Sequence, residues 1–176
     1  EDSDVPFTIT PPIARMNAST GRALRIMHYQ TPKPVADRES VYWLNVLAIR
    51  PSVEAPDETN ALQFAFRTRI KLFLRPAELP AQVQDAAHAL QWSLSCGGDT
   101  GLEVLNPTPY HVTLSGVVLT LSAVEHRSEE PPMVAPYATA RVAMPGLPRE
   151  GLSGAQLQFT TLDDDGATQH HQVLLQ

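Results

Sequence analysis

The chain has 176 residues and a mass of 19.3 kDa, enough for one large domain or two small ones that each bury a core. Its 13 Lys and Arg residues against 19 Asp and Glu residues give a net charge of −6, which argues against nucleic acid as a partner. No apolar run approaches the ~20 residues of a membrane span, so we expect neither membrane insertion nor a signal peptide. We therefore expect any export signal to have been removed.

Short strands account for most of the predicted structure. The 16 prolines, roughly twice the usual ~5% share, punctuate segments that alternate or run apolar over five to ten residues. A turn or two of helix is predicted at 81–89. Ten strands are predicted, at 7–10, 23–29, 41–50, 62–75, 90–96, 101–105, 111–124, 138–144, 156–162 and 170–175. This spacing favours β-sandwiches over a parallel sheet with crossover helices.

Two prolines in the stretch Arg75-Pro76-Ala77-Glu78-Leu79-Pro80 mark the boundary between two domains. Proline ends a strand because it cannot donate a backbone hydrogen bond, and it stiffens the connection that follows. We therefore predict a first β-sandwich domain at 1–76, a hinge at 77–80 and a second domain at 81–176.

Residues 60–76 read NALQFAFRTRIKLFLRP, and apolar side chains alternate with cationic ones along them. Such alternation gives a strand one apolar face and one charged face, as in any half-buried strand. Two features set this strand apart, namely its length, well beyond the usual ~5–6 residues, and the row of cations that runs to Arg75. Cations placed beside the domain boundary can bind an anion.

No catalytic, metal or cofactor site is predicted. His170 and His171 are adjacent, so on a strand they point to opposite faces and cannot share a metal. The run Asp163-Asp164-Asp165-Gly166 lacks the later ligands of a calcium loop and is interpreted as a turn. Cys96, the single cysteine, can form no internal disulfide and is interpreted as a packed thiol. Trp43 and Trp92 are interpreted as core residues, one in each domain.

Several motifs, in this order, resemble the periplasmic chaperones of the chaperone–usher pathway that assembles bacterial pili. Any one of these motifs is weak evidence. Their occurrence in this order over nearly the whole chain is strong evidence for the resemblance. The motifs are Thr10-Pro11-Pro12, Leu24-Arg25-Ile26, Asp37-Arg38-Glu39-Ser40, Tyr42-Trp43-Leu44-Asn45-Val46, Arg69-Ile70-Lys71-Leu72-Phe73, Arg75-Pro76 and Asn106-Pro107-Thr108-Pro109-Tyr110 with Thr113.

The resemblance implies an all-β chain of two immunoglobulin-like sandwich domains in a boomerang arrangement, with no enzymatic activity. Pilin subunits, each lacking a strand, would be the partners, and the long strand would complete them before delivery to an outer-membrane usher. The donor-strand side chains would be Leu62, Phe64, Phe66 and Ile70. Lys71 matches the family lysine that binds the subunit's C-terminal carboxylate. The expected location is the periplasm.

Further expectations concern ion pairs and the start of the chain. The resemblance places the family's interdomain ionic network on Glu39, Arg75 and Asp164, whereas the arginine that anchors the subunit carboxylate has no counterpart here. The first domain is therefore expected to lack its first strands, which leaves edges and core open. Self-association through the long strand is a related expectation. The alternative is a β-sandwich adhesion or structural domain without chaperone activity, in which the same strand is core.

Overall fold

In a computed structural model, the chain is described at residues 5–29, 35–49, 64–95, 101–148 and 154–175, and the regular elements there are β-strands apart from one 3₁₀ helix at Val83–Asp85. Within these ranges, no helix is long and apolar enough to cross a membrane. The strands are β1 (Phe7–Thr10), β2 (Arg25–His28), β3 (Ser40–Ile49), β4 (Ala65–Leu74), β5 (Gln91–Leu94), β6 (Gly101–Leu105), β7 (Val112–Leu121), β8 (Val124–Ser128), β9 (Met133–Val134), β10 (Thr139–Ala143), β11 (Gln156–Leu162) and β12 (Thr168–Leu174).

The chain divides into two compact units. Unit 1 comprises Glu1–Val35 and Ser40–Leu74, and unit 2 comprises Ala36–Glu39 and Arg75–Gln176. The short segment before β3 and the residue after β4 therefore belong to unit 2, although the hairpin between them belongs to unit 1.

Unit 1 contains two antiparallel strand pairs, β1 with β2 and β3 with β4. The β3–β4 hairpin is rich in β-branched and aromatic residues, which favour the extended conformation. Phe7 of β1 meets Tyr42 of β3 edge to face, with ring centroids 5.0 Å apart. Pro6 is the one buried residue among those described in unit 1, so this part of the molecule has almost no enclosed core.

Unit 2 is a sandwich of two antiparallel sheets. One sheet has the strand order β10-β6-β5, and the other has the order β12-β11-β7-β8 with β9 paired to β7. Their inner residues form a continuous apolar core, because alternate side chains of each strand project to the same side. Its fully enclosed members include Leu102, Val104, Leu119, Val134, Val142, Met144 and Leu157.

Asn106, which follows β6, is a fully buried polar residue at one end of this core. Its side-chain amide donates to the backbone oxygens of Tyr110 and Ala135, at 2.7 and 3.1 Å. Its carbonyl oxygen accepts hydrogen bonds from the backbone N–H and the hydroxyl of Thr108. One side chain thus holds together two loops, because burial requires each of its polar atoms to find a partner.

The structure corrects the single strand predicted at 111–124, which is two strands, β7 and β8, joined by a turn at Ser122 and Ala123. Both residues have positive φ angles, 48° and 67°. Tight hairpin turns of this kind usually contain Asn or Gly, so Ser-Ala gave no turn signal. The predicted helix at 81–89 is only the 3₁₀ turn followed by further turns.

The interpretation of Trp43 as a core residue is also wrong. Its side chain is 40% exposed on one face of the β3–β4 hairpin. Trp92 agrees with the expectation, since it packs against the core of unit 2 and its ring lies 5.1 Å from that of Phe159.

Candidate functional site: the exposed hairpin and the ionic cluster

The β3–β4 hairpin has an apolar face and a cationic face, because directly paired residues of antiparallel strands project to the same side. The apolar face consists of Tyr42, Leu44, Val46 and Ala48 of β3 with Phe66, Ile70, Leu72 and Leu74 of β4, together with the polar residues Ser40 and Thr68. The cationic face includes Trp43, Asn45 and Leu47 of β3 with Arg67, Arg69 and Lys71 of β4, and apolar residues occupy its two ends: Val41, Ile49, Ala65 and Phe73. Alternation in the sequence predicts both faces.

Large apolar side chains along β4 are exposed to solvent. Phe64, just before the strand, is 57% exposed, Phe66 is 61% exposed and Ile70 is 49% exposed. Leu62, the fourth expected donor residue, lies outside the described residues. Among the described strands, β3 alone pairs with β4, so no described strand covers the other edge of β4 beside Phe66 and Ile70. Apolar side chains beside an open edge form a surface that a further strand can cover.

Trp43 organises the cationic face. The guanidinium carbon of Arg69 lies 4.2 Å from the ring centroid, and the ammonium of Lys71 lies 5.8 Å from it. These are cation–π distances, so the ring attracts both charges. Lys71 is partly buried, and this burial lowers its pKa below the ordinary value for lysine. Lys71 therefore presents a partly desolvated cation, which binds a carboxylate more strongly than a fully hydrated one.

The structure brings Glu39, Arg75 and Asp164 into one ionic cluster, all within unit 2. Arg75 donates to Glu39 Oε1 through Nε at 2.9 Å, and its Nη2 lies 2.8 Å from the same oxygen. It also donates through Nη1 and Nη2 to the two carboxylate oxygens of Asp164, at 2.8 and 3.1 Å. The guanidinium fork thus joins two carboxylates, a geometry that lysine cannot reproduce.

Glu39 is the buried member of this cluster, with a side chain only 1% exposed. Burial raises the pKa of its carboxyl, but hydrogen bonds from His111 and Arg75 outweigh burial and hold the pKa below its usual range. The pKa of Arg75 is raised, chiefly by its hydrogen bonds to Asp164. Glu39 and Arg75 are therefore both charged at neutral pH.

His111 is a fourth member that sequence reasoning missed. Its backbone N–H donates to Glu39 Oε2, and its ring Nδ1 lies 2.9 Å from the same oxygen. Because a carboxylate can only accept, Nδ1 must carry the proton. The guanidinium of Arg75 also lies 5.2 Å from the ring of Tyr110. In the sequence, the one indication that these two residues belong to the site was their place in the chain: Tyr110 ends the Asn106–Tyr110 motif, and His111 directly follows it.

His171 packs against side chains of β11, the strand that pairs with β12. Its ring stacks on Phe159 at 4.8 Å, and Nε2 lies 3.0 Å from the hydroxyl of Thr161. Across the part of the chain that the structure describes, no group of three or more His, Cys, Asp or Glu side chains is placed to hold a metal ion.

Two family models match the chain and together span most of it. Residues 1–80 match the N-terminal domain of PapD, described as a pili and flagellar-assembly chaperone. Residues 85–173 match the C-terminal domain of the pili assembly chaperone PapD.

Curated relatives support the same family. The chain is 39% identical to the probable fimbrial chaperone YadV of Escherichia coli K12, over 92% of this chain and 66% of that protein. It is 34% identical to the chaperone protein FimB/FhaD of Bordetella pertussis, over 99% of this chain and 70% of that protein. The chain thus spans about two thirds of the length of these relatives.

Solved structures also match. The crystal structure of the YadV chaperone superimposes with a TM-score of 0.85 at 37% identity, over 97% of this chain and 79% of that one. The SafB chaperone of Salmonella enterica, solved in complex with the SafA pilin, is a further match: the TM-score is 0.78 at 28% identity, and the match covers 97% of this chain and 75% of that chain. These matches agree with the all-β fold and the two units of the structure. The chain belongs to the family of PapD-like pili-assembly chaperones.

Proposed function

We propose that this chain is a periplasmic, non-enzymatic chaperone that binds pilin subunits by strand donation and delivers them to an outer-membrane usher. The observation that carries the proposal is the row of exposed apolar side chains along the open edge of β4. An extended strand with an open edge and alternating apolar side chains suits β-augmentation, in which backbone hydrogen bonds supply affinity and side chains fill pockets of the partner. The chaperone SafB, a relative at 28% identity, was solved in complex with a pilin.

In this proposal Leu62, Phe64, Phe66 and Ile70 enter the open core of the subunit. Burying each side chain would contribute about 2 kcal/mol of apolar transfer free energy. The exposure of the last three supports donation over the alternative in which this strand is part of a closed structural module. Two phenylalanines require wide pockets in the subunit.

Lys71 is proposed to bind the C-terminal carboxylate of the subunit, because its partly desolvated ammonium favours a charge-assisted hydrogen bond. The ionic cluster has a different proposed role. Glu39 immediately precedes β3 and Arg75 immediately follows β4, so their ion pair ties the two ends of the hairpin together. We propose that Glu39, Arg75 and Asp164 form the interdomain ionic network of the family, with the domains at 1–76 and 81–176 joined by the hinge at 77–80.

The proposal is tested by co-expressing the chain with a pilin subunit in a bacterial periplasm and measuring complexes by native mass spectrometry. Wild type is expected to form a one-to-one complex, and Phe64→Glu and Lys71→Ala are expected to lose most of it. Ile13→Glu is the matched control, because Ile13 is 89% exposed in another part of unit 1. If Phe64→Glu and Lys71→Ala both retain the subunit as well as wild type does, strand donation is the wrong mechanism.

A further inference from the structure

The cationic face of the β3–β4 hairpin has a charge pattern that strand donation alone does not require. Arg67, Arg69 and Lys71 stand at every second position of β4, so all three project to the same side. Neither β3 nor β4 contains an acidic residue. The row is thus a local cationic excess on a chain whose net charge is −6.

The two arginines are not neutralised within the part of the chain that the structure describes. The ion pairs found there do not include Arg67 or Arg69. Arg69 instead lies over the ring of Trp43, which leaves its hydrogen-bond donors without a carboxylate. Like charges two residues apart on one face of a strand repel one another, and an anionic partner relieves that repulsion.

Strand pairing determines where such a partner must carry its charges. In a β-ladder, residues directly opposite each other on one face have Cβ atoms about 4.5–5.5 Å apart. A strand added to the open edge of β4 therefore places alternate side chains beside Arg67 and Arg69, on the cationic face. Its remaining side chains lie on the apolar face, beside Phe66 and Ile70.

We propose that the subunit strand that pairs with the open edge of β4 carries two acidic side chains at alternate positions, opposite Arg67 and Arg69. The inference rests on the proposed function, because it requires β4 to be the donated strand. Each arginine would form a charge-assisted pair with one carboxylate. A slip of one residue would move both acids to the apolar face, so the pattern also determines the register of the added strand.

Synthetic peptides of about ten residues, the length of a strand, isolate the charge pattern from the rest of the subunit. Three peptides with blocked termini are compared, so that no terminal carboxylate engages Lys71. The first alternates valine with glutamine, except that glutamate replaces the two central glutamines, so both acids lie on the polar face. The second has glutamine at both positions, and the third has the two glutamates adjacent, which places them on opposite faces at the same net charge.

Dissociation constants are measured with the full 176-residue chain at low and moderate salt. The peptide with alternate glutamates is expected to bind about tenfold more tightly than the other two, and the difference is expected to shrink as salt is added. Arg67→Gln/Arg69→Gln is expected to abolish the difference. Arg67→Gln alone, which leaves Arg69 over Trp43, is expected to reduce it. Arg22→Gln/Arg25→Gln removes two exposed cations elsewhere in unit 1 and is expected to retain it.

Equal affinity for the alternate and adjacent glutamate peptides would overturn the inference, because the face would then attract anions without regard to register. Equal affinity for the glutamate and glutamine peptides would overturn it while leaving strand pairing intact. Absence of binding by every peptide would overturn it as well. The proposed function is judged separately, by subunit capture with Phe64→Glu and Lys71→Ala.

Discussion

Glu39 and His111 are joined twice: the backbone N–H of His111 donates to Glu39 Oε2 at 2.9 Å, and its ring Nδ1 lies 2.9 Å from the same oxygen. Both side chains are nearly buried, at 1% and 6% exposure. Together with Arg75, His111 supplies the hydrogen bonds that allow a carboxylate to remain ionised away from water.

Glu39→Gln is expected to lower the free energy of unfolding of unit 2 by about 3 kcal/mol, because it leaves the cation of Arg75 with one carboxylate partner and disrupts the bonds to His111. Urea denaturation monitored by the fluorescence of Trp92, in a Trp43→Phe background, measures the loss. Asp37→Asn is the control, since the Asp37–Arg38 pair is exposed on both sides. An unchanged urea midpoint for Glu39→Gln would show that the cluster does not stabilise the fold.

The lowered pKa of Glu39 also leads us to expect that the free energy of unfolding decreases in acid. Its pKa is lower in the folded chain than in the unfolded chain, so its contribution is complete above the unfolded pKa of about 4.3 and is lost as pH falls through the folded value. The free energy of unfolding of wild type should therefore fall more steeply below about pH 4.3 than that of Glu39→Gln. Parallel pH profiles of the two proteins would contradict the assignment.

His171 predicts a second loss of stability at milder acidity. Burial, followed by the nearby charges of His88 and His170, lowers its pKa below the ordinary value. The neutral ring is favoured in the folded chain, so stability is present above the unfolded pKa of about 6.5 and falls as pH drops towards the folded value.

His171→Phe retains a ring to stack on Phe159 and removes the titration, so its free energy of unfolding should change less between pH 7 and pH 5 than that of wild type. Thermal unfolding across this range provides the measurement. Thr161→Val is the matched control, because it removes the contact to Nε2 and keeps the ionisable ring. If Thr161→Val and His171→Phe flatten the profile equally, the effect does not come from titration of His171.

Asn106→Ala is expected to destabilise unit 2 by about 2–4 kcal/mol, because the buried backbone groups of Thr108, Tyr110 and Ala135 lose their shared partner. Asn17→Ala, at an exposed asparagine, is the control and should leave the unfolding midpoint unchanged. A small effect of Asn106→Ala would mean that water replaces the amide.

Phe66→Ser should separate binding from stability. The side chain is 61% exposed, so its replacement is expected to change the free energy of unfolding by no more than about 0.5 kcal/mol. Affinity for a pilin subunit should nevertheless fall about tenfold or more, because the phenyl ring is proposed to become buried only in the complex. Calorimetry of binding and denaturation of the free chain together provide the test. A large loss of stability with unchanged affinity would assign Phe66 to the core.

The sequence predicted most strands because their patterns are local. The limits of β1, β6 and β11 agree with those predicted at 7–10, 101–105 and 156–162, since alternation and flanking turn residues define them. The Ser122-Ala123 turn escaped prediction because its positive φ angles depend on the pairing of β7 with β8 and not on residue type.

The ionic cluster could not be predicted from local patterns, because its members are far apart in the chain. Arg75 lies 36 residues from Glu39 and 89 residues from Asp164 along the chain, so no local pattern links them. The family resemblance predicted Glu39, Arg75 and Asp164 as members of the cluster, whereas His111 was identified only in the structure. The exposure of Trp43 was missed for a similar reason, because alternation defines two faces of a strand without telling which face is covered.

The near absence of buried residues among those described in unit 1 has a consequence for amide hydrogen exchange. Opening of the β3–β4 hairpin uncovers little apolar surface, so its amide protons should exchange through local fluctuations of low free energy. β6, β7 and β11 lie in the two sheets that enclose the core of unit 2, so their amide protons should exchange only on global unfolding. A single exchange experiment would therefore reveal two protection classes in one chain. Slowing of the fast class after a partner is added would report pairing at β4 without any label on the partner.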